Sequence, residues 1–507
     1  MNPDSTPLLT PQDAFNAQLL KNVHPPDWVN PVPGERYNLV VVGAGTAGLV
    51  AAAGSALLGA KVALIERHLM GGDCTNYGCV PSKALLRSAR AAAALRDSGG
   101  FGMVAPTAGH ADFARVMERL RRLRAQISAN DSVARFSSLG VEVYLGEASF
   151  VGRNAVEVGG RRLSFAKAVI ATGARAAALK VQGFAEVGYL TSETVFSLAT
   201  LPQTLLVIGT GPVGCELAQA FQRLGSAVTL VGRASRLLPR DDADAAAVLH
   251  RSLTRDGVRI LLDATPLRAE PAAGQRRVVL RRHAREEVVV TDQILVAVGR
   301  TPNLARLNAH LAAVATSASG VVVDDHLRTT NPDIYAAGDI CSPYQFTHAA
   351  EAMARIAIQN ALFFGRKRVS ELVIPWTTYT DPEVAHVGIS AAAAGARGHR
   401  VVTLTQELGD TDRAILDGEA EGYVRLYFHR RGGRLLGATL VGSHAGESIG
   451  EAVLAITQRL SAAQLSKVIH PYPTQAEAMK RAADQQFLNR LNPWLRRLLR
   501  QYFRTRR

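Results

Sequence analysis

Thirteen residues, Gly71 to Lys83 (GGDCTNYGCVPSK), carry two cysteines five positions apart, Cys74 and Cys79, in a glycine-flanked stretch compatible with helix. On an ideal α-helix, positions i and i+5 lie roughly 8 to 9 Å apart at Cα, beyond the ~7 Å over which two cysteines can be bridged. The pair can therefore close only where the first helical turn is distorted. Gly78 permits such a deviation, and Gly71 and Gly72 allow the chain to approach a ligand closely. A bond held in strained geometry is easily reduced, so the first chemistry suggested is a reversible redox disulfide. Two alternatives stand beside it: a pair of buried structural thiols, or half of a zinc site. Zinc wants further ligands, usually at tighter spacing. The remaining cysteines, Cys215 and Cys341, are isolated, and no metal site is expected.

A redox disulfide needs electrons, and two further motifs could supply them. Tyr37 to Val42 is an apolar run leading into Gly43, Gly45 and Gly48, then a small-residue helix, then Lys61 to Ile65 and Glu66. In such a strand–turn–helix–strand unit the glycines admit a pyrophosphate at the helix N-terminus, and the acid can bind a ribose hydroxyl. A purely structural βαβ turn is the alternative. The pattern recurs at Thr204 to Ile208, Gly209, Gly211 and Gly214, followed by the strand Ala227 to Val231. Here Gly232-Arg233 replaces the acid. An acid would repel a 2′-phosphate and Arg233 can accept one, so NADPH is favoured over NADH. Arg236 is either a helper or a solvated charge. Two more strand-like segments end on small-residue turns: Ala168 to Gly173, with Thr172, and Ile334 to Ile340, where Asp339 suits a ribityl or ribose hydroxyl.

The elements that position these residues imply an α/β chain. A length of 507 residues calls for two to four domains, and 47% hydrophobic with 20% charged residues fits a globular protein. Met1 to Pro33 shows no continuous apolar core of a secretory signal, and four cysteines form no secreted disulfide framework, so a cytoplasmic location is expected. The apolar run Leu39 to Ile65 is long enough to resemble a membrane span, but its glycines are spaced for a nucleotide fold. The formal charge of +15 is mostly diffuse arginine and gives no nucleic-acid footprint. The exception is Trp494 to Arg507, WLRRLLRQYFRTRR, suited to an anionic membrane surface or an acidic partner. Docking of that helix on its own domain or dimer partner is the alternative.

A Cys-x4-Cys pair between two dinucleotide folds, with ATG and AAGD segments following each, resembles the FAD-dependent pyridine nucleotide-disulfide oxidoreductases, a family that includes dihydrolipoamide dehydrogenase, glutathione reductase and mercuric reductase. The resemblance runs from about Tyr37 to Asp484. It implies two Rossmann-like domains and an α+β C-terminal dimerisation domain. The corresponding boundaries are an N-terminal extension at 1–36, an FAD domain at 37–180 and 297–375, an NAD(P)H domain at 181–296, a dimerisation domain at 376–486 and a basic tail at 487–507. The chain would return to the FAD domain near Val296 to Arg300, around Gly299. By the same resemblance Cys79 is the charge-transfer thiolate against the flavin and Cys74 the outer interchange thiol. Lys83 pairs with Glu216 near flavin N5.

Two departures stand out. Disulfide-reducing members carry a histidine directly before Pro-Thr, five residues ahead of a glutamate. Here the position five before Glu477 is Tyr472, and His470 is out of register by two. Tyrosine at that place is similar to mercuric reductase, yet no cysteine follows Cys341 to form that enzyme's C-terminal pair. Asp73, where threonine is common, either disfavours the neighbouring thiolate or caps the following helix, the latter preferred. Met1 to Gly34 reads as a polar, proline-bearing extension, either a strap over the FAD domain or partly disordered, and Gly109 to Ser138 as a basic amphipathic helix. The expectation is a homodimer passing electrons from NADPH through FAD to Cys74–Cys79 and on to a small-molecule, thiol/disulfide or soft metal-ion acceptor, with Tyr472 and Glu477 of the other subunit completing the site. The alternatives are direct reduction of quinones or small electrophiles by the flavin, and a membrane-recruited redox sensor.

Overall fold

The structure, a computed structural model, describes residues 9–104, 111–396, 398, 400–431, 433–490 and 493–506. The start of the expected extension up to Leu8, Gly109 and His110 of the expected basic helix, and Arg507 of the tail lie outside the described residues. The chain forms two compact units, residues 1–233 with 259–372, and residues 234–258 with 373–507.

In the first unit the strand Tyr37–Val42 is buried along almost its whole length, as a near-continuous apolar run in a parallel sheet must be. It pairs in parallel with Val62–Glu66 and Arg161–Ile170. Val141–Leu145 and Ile334–Ala336 extend the sheet on either side. The register brings Val42, Ile65, Ile170 and Ala336 level. The residues that follow them, from Gly43, Glu66, Ala171 and Ala337 onward, therefore emerge along one sheet edge, where ligands of open α/β sheets bind.

A second parallel sheet runs Arg259–Leu261, Ala227–Val231, Thr204–Ile208, Gln293–Val296. Its register levels Ile208, Val231 and Val296, which places Gly209, Gly232 and Ala297 along a second edge. The return expected near residues 296–300 is more gradual. Arg300–Pro302 pairs with Ala174–Ala176, and the first sheet is rejoined only at Ile334–Ala336.

The N-terminal extension includes a helix, Ala14–Val23, whose N-cap Asp13 accepts from Asn16 N at 2.8 Å. Beyond it Trp28 donates to Val143 O, and Asn30 bonds both backbone polar groups of Leu145. The single basic helix read over residues 109–138 is instead Phe113–Ser128, a 3-10 turn at Ala129–Asp131, and Val133–Ser138 with Ser132 as its cap. Ser132 takes extended backbone and accepts from Arg135 N, which starts a new helix.

The second unit is built on a five-stranded antiparallel sheet, Pro375–Thr378, Glu383–Gly388, Leu435–Gly442, Tyr423–His429, Val401–Glu407, with a core shared by the helices Ala445–Thr457 and Glu477–Arg490. Residues 234–258, read from sequence as part of the second nucleotide fold, belong to this unit through polar contacts. Asp241 accepts from Trp376 Nε1 at 2.8 Å, Asp242 from Tyr427 and Thr439 hydroxyls, and Asp244 from Arg425 at 2.8 Å. The tail forms a helix, Pro493–Arg504, with Trp494, Leu498, Tyr502 and Phe503 exposed. Among the described residues no helix is long and apolar enough to cross a membrane.

Candidate active site

The first sheet edge carries a cradle that only glycine permits. Gly43 has φ 102°, and a Cβ there would lie 2.4 Å from Ala171 O; one on Gly48 would lie 1.8 Å from Gly43 O. The helix Thr46–Leu57 can thus begin directly on the turn, its free N–H groups open to an anion. Gly72 packs against the same turn, since a Cβ on it would meet Gly45 Cα at 2.6 Å. Glu66 sits at the end of its strand, accepting from Ala44 N and His68 N at 2.7 and 2.8 Å, and burial pushes its carboxyl up. Thr172 is tied to Asn303 by two hydrogen bonds, and Gly173 takes φ 64°.

The segment bearing the cysteines is two helices, Gly72–Asn76 and Cys79–Arg96, separated by Tyr77 and Gly78. The expected distortion of a first turn is thus a full break between the cysteines. Asn76 donates to Met70 O and Gly72 O, which closes the short helix on itself. Gly78 allows the chain to restart, because a Cβ would meet Asp73 Oδ2 at 2.9 Å and Asp73 O at 3.1 Å. Cys74 is half-buried and Cys79 exposed, both as thiols.

The two sulphurs are electrostatically unlike. A hydrogen bond from Cys74, then one from Thr347 (3.4 Å), then the charge of Lys83 hold the Cys79 thiol down at about 6, against burial and Asp73. Cys79 also opens an 18-residue helix, whose positive end favours a thiolate. Cys74 is pushed far above its ordinary value by its hydrogen bond to Cys79, by burial and by the Cys79 charge. Lys83 Nζ lies 2.7 Å from Glu216 Oε2, a carboxylate only 5% exposed on the helix Pro212–Leu224. The structure brings together Cys74, Cys79, Lys83 and Glu216.

Asp73 corrects the capping expectation. It lies inside the first short helix, and the N-cap of the second is Gly78. Its carboxylate instead accepts from Arg300 Nη1 at 3.0 Å. Arg300 also lies 3.4 Å from Asp339 and donates to Ala174 O at 2.6 Å. Burial raises the Asp339 carboxyl, with Arg300 opposing. Sequence reasoning missed Arg300, read only as the residue after Gly299, and Thr347, which no motif marks.

The second turn repeats the first. A Cβ on Gly209 would lie 2.2 Å from Ala297 O and one on Gly214 1.8 Å from Gly209 O, while Gly211 faces open space. Gly232 is required because a Cβ would meet Thr210 Cγ2 at 2.3 Å, and Arg233 follows it exposed. Gly299 has φ 123°. Arg236, exposed, uses Nη2 locally, donating to Pro239 O at 2.9 Å and Asp241 O at 3.3 Å.

In the second unit, His470 is 7% exposed at its side chain and lies 3.0 Å from Glu451. Tyr472 is 70% exposed and donates to Asp412 Oδ2 at 2.6 Å, which raises its phenol. Glu477 pairs with Arg481 at 3.0 Å. Within one chain Tyr472 and Glu477 are thus held by other partners, and the out-of-register histidine is locked away.

Residues 37–354 match the pyridine nucleotide-disulphide oxidoreductases, and residues 374–483 match the dimerisation domain of the same group. The chain belongs to this family. It is 35% identical over 447 residues to a mercuric reductase of Bacillus cereus, covering 88% of this chain and 71% of that one. A dihydrolipoyl dehydrogenase of Thermus scotoductus is 33% identical over 460 residues, covering 88% and 97%. Among solved structures, the Cu(II) complex of the HOCl-induced flavoprotein disulfide reductase RclA from Escherichia coli superposes with a TM-score of 0.80 at 27% identity, covering 89% of this chain and all of the other. The chain is therefore an NAD(P)H-dependent flavin disulfide oxidoreductase using FAD, and its dimerisation domain supports a homodimer. The glycine cradle at Gly43, Gly45, Gly48 and Gly72, with Glu66 and Asp339 on the same edge, fits a dinucleotide; Gly209, Gly211 and Gly214 fit a second.

Proposed function

We propose that this enzyme takes electrons from NADPH, through FAD, into a Cys74–Cys79 disulfide and delivers them to a soft, thiol-reactive acceptor such as a metal ion. The observation that carries the reading is the placement of Cys79 at the N-terminus of its helix, 3.4 Å from the Thr347 hydroxyl and one turn before the Lys83–Glu216 ion pair, with the hydrogen bond from Cys74 lowering the Cys79 thiol. When bound, FAD supplies the two-electron relay between nicotinamide and disulfide. Two electrons and one proton open the disulfide to a thiolate at Cys79 and a thiol at Cys74. Thr347 and Lys83 hold the charge at Cys79 Sγ, and the proton remains on Cys74 Sγ. Glu216 fixes the Lys83 ammonium beside that site. Tyr472, with its phenol raised, holds its proton near neutrality and is a weak base for dithiol exchange. That disfavours ordinary disulfides and leaves soft electrophiles, for which the copper-bound E. coli relative is a precedent.

The test is anaerobic reduction with NADPH followed by Hg²⁺, lipoamide, glutathione disulfide and quinones in turn. The expected result is slow Hg²⁺-dependent NADPH oxidation in excess thiol, lost in Cys74→Ser, with little lipoamide turnover. Quinone reduction that is fast and indifferent to Cys74→Ser would favour direct electron transfer instead. The tail supports a further reading, association with an anionic membrane surface on the cytoplasmic side. Trp494, Leu498 and Tyr502 recur every fourth residue of an exposed helix that also carries Arg496, Arg497, Arg500 and Arg504. Removing residues 494–507 should abolish low-salt sedimentation with phosphatidylserine vesicles and spare flavin reduction; a full-length chain that never sediments would leave the tail a docked helix.

A further inference from the structure

The family match begins at residue 37, yet residues before it reach the break between the two cysteines. Arg124, on the helix Phe113–Ser128 and only 4% exposed, donates Nη1 to Asn76 O at 3.0 Å. Asn76 is the last residue of the short helix carrying Cys74, so its carbonyl lacks a helical partner and, buried, must find one elsewhere. The other face of the guanidinium is held by the N-terminal arm: Nη2 donates to Asn16 Oδ1 at 2.6 Å. Asn16, itself 2% exposed, is oriented by its own donation to Pro11 O at 2.6 Å and by Asp13, which also pairs with Arg121. The arm grips the near end of the same segment as well. Met70 N donates to Val23 O at 3.2 Å, and the His24 ring bonds His68 O. His68 in turn bonds the Tyr77 hydroxyl at 2.7 Å and stacks on that ring at 15°.

We propose that residues 11–24 are a positioning element of the redox site: through Asn16 and Arg124 at one end, and Val23 and His24 at the other, they fix the helix break that holds Cys74 against Cys79. The redox poise of the pair then depends on an arm lying outside the matched family core. Two thiols held together have a high effective concentration for one another, and loosening the bend lowers it. Burial of a hydrogen-bonded cation makes the link consequential, since removing the Asn16 amide leaves an Arg124 donor unsatisfied in a dry place.

The inference rests on Cys74–Cys79 being the redox pair. It is tested on the full-length FAD-loaded enzyme equilibrated against oxidised and reduced dithiothreitol, with the thiol–disulfide ratio read by trapping with iodoacetamide. Asn16→Ala should shift that equilibrium at least tenfold toward dithiol, about 30 mV for a two-electron couple. Asn16→Asp, which keeps the acceptor for Arg124 but loses the donation to Pro11 O, should restore part of it. His24→Leu, acting at the other end, should move it in the same direction, and serves where Asn16→Ala yields too little folded protein. If the unsubstituted enzyme forms no Cys74–Cys79 disulfide, the redox reading falls and the proposal with it. If it does, and both variants lower the melting temperature while leaving the ratio unmoved, the arm is a brace of the fold alone and the proposal is overturned.

Discussion

Replacing Thr347 by valine should move the titration of Cys79 without touching either cysteine. The Thr347 hydroxyl lies 3.4 Å from Cys79 Sγ and is one of three groups holding that thiol down at about 6. Hydrogen bonds to charged groups contribute roughly 1.5 to 3 kcal/mol, and a long contact to sulphur belongs at the low end. Since one pKa unit corresponds to about 1.4 kcal/mol, the midpoint should rise from about 6 to roughly 7. A thiol whose value is depressed is ionised above its midpoint and protonated below it. The wild-type thiolate should therefore appear as pH rises through about 6, that of Thr347→Val about one unit later. At pH 6.5 this is the difference between about three-quarters and about one-quarter thiolate. The assay is the long-wavelength thiolate–flavin absorbance of the two-electron-reduced enzyme from pH 4.5 to 9, with Thr347→Ser as the control that retains the donor. Coincident midpoints for wild type and Thr347→Val would refute the electrostatic account, as would a wild-type midpoint near the ordinary thiol value.

Arg300→Gln should leave the Asp73 carboxylate uncompensated beside Cys74 and slow iodoacetamide alkylation of Cys74 at pH 8 by about three- to tenfold, a surface-discounted estimate; Asp73→Asn in the same background should recover it, and a double variant no faster than the single would remove Asp73 from the argument. Arg233→Glu should reverse a preference for NADPH of about one to two orders of magnitude in kcat/KM, the size of one charge-assisted phosphate contact, and a wild type that uses NADH equally well would contradict the role of Arg233. Tyr472→His should raise lipoamide turnover from near background, because imidazole exchanges protons near neutrality and the Asp412-bound phenol does not; rapid lipoamide reduction by the wild type would show that Tyr472 is no obstacle.

The glycine turns and the two neighbouring cysteines were legible in the sequence because each is a local pattern with a fixed physical reason, and Lys83 and Glu216 because each follows such a pattern. Gly48 and Gly214 each sit where a Cβ would strike the first glycine of their own turn, so spacing alone reports the geometry. The environment of the pair was not legible. Thr347 reaches Cys79 from 268 positions away and Arg300 reaches Asp73 from 227, and nothing local marks either. Asp73 looked like a cap because caps are read from neighbours along the chain, and its partner is not one. The basic stretch before Ser138 was read as an amphipathic helix, which does not single out any one arginine as buried; Arg124 is buried with Nη1 on Asn76 O and Nη2 on Asn16 Oδ1. Residues 234–258 group with the second compact unit for a related reason, as Asp241, Asp242 and Asp244 find their partners at Trp376, Tyr427 and Arg425.

The central claim is that Cys74 and Cys79 form a disulfide coupled to the flavin, with Cys79 as the flavin-side thiolate. Anaerobic titration of the holoenzyme with NADPH tests it most directly. At two electrons per subunit a long-wavelength charge-transfer band should grow in; it should be absent from Cys79→Ser at every stage, and present before any reductant is added in Cys74→Ser, where Cys79 has no partner to bond. Wild-type enzyme whose flavin bleaches fully with the first two electrons, with no such band at any pH above 6, would contradict it.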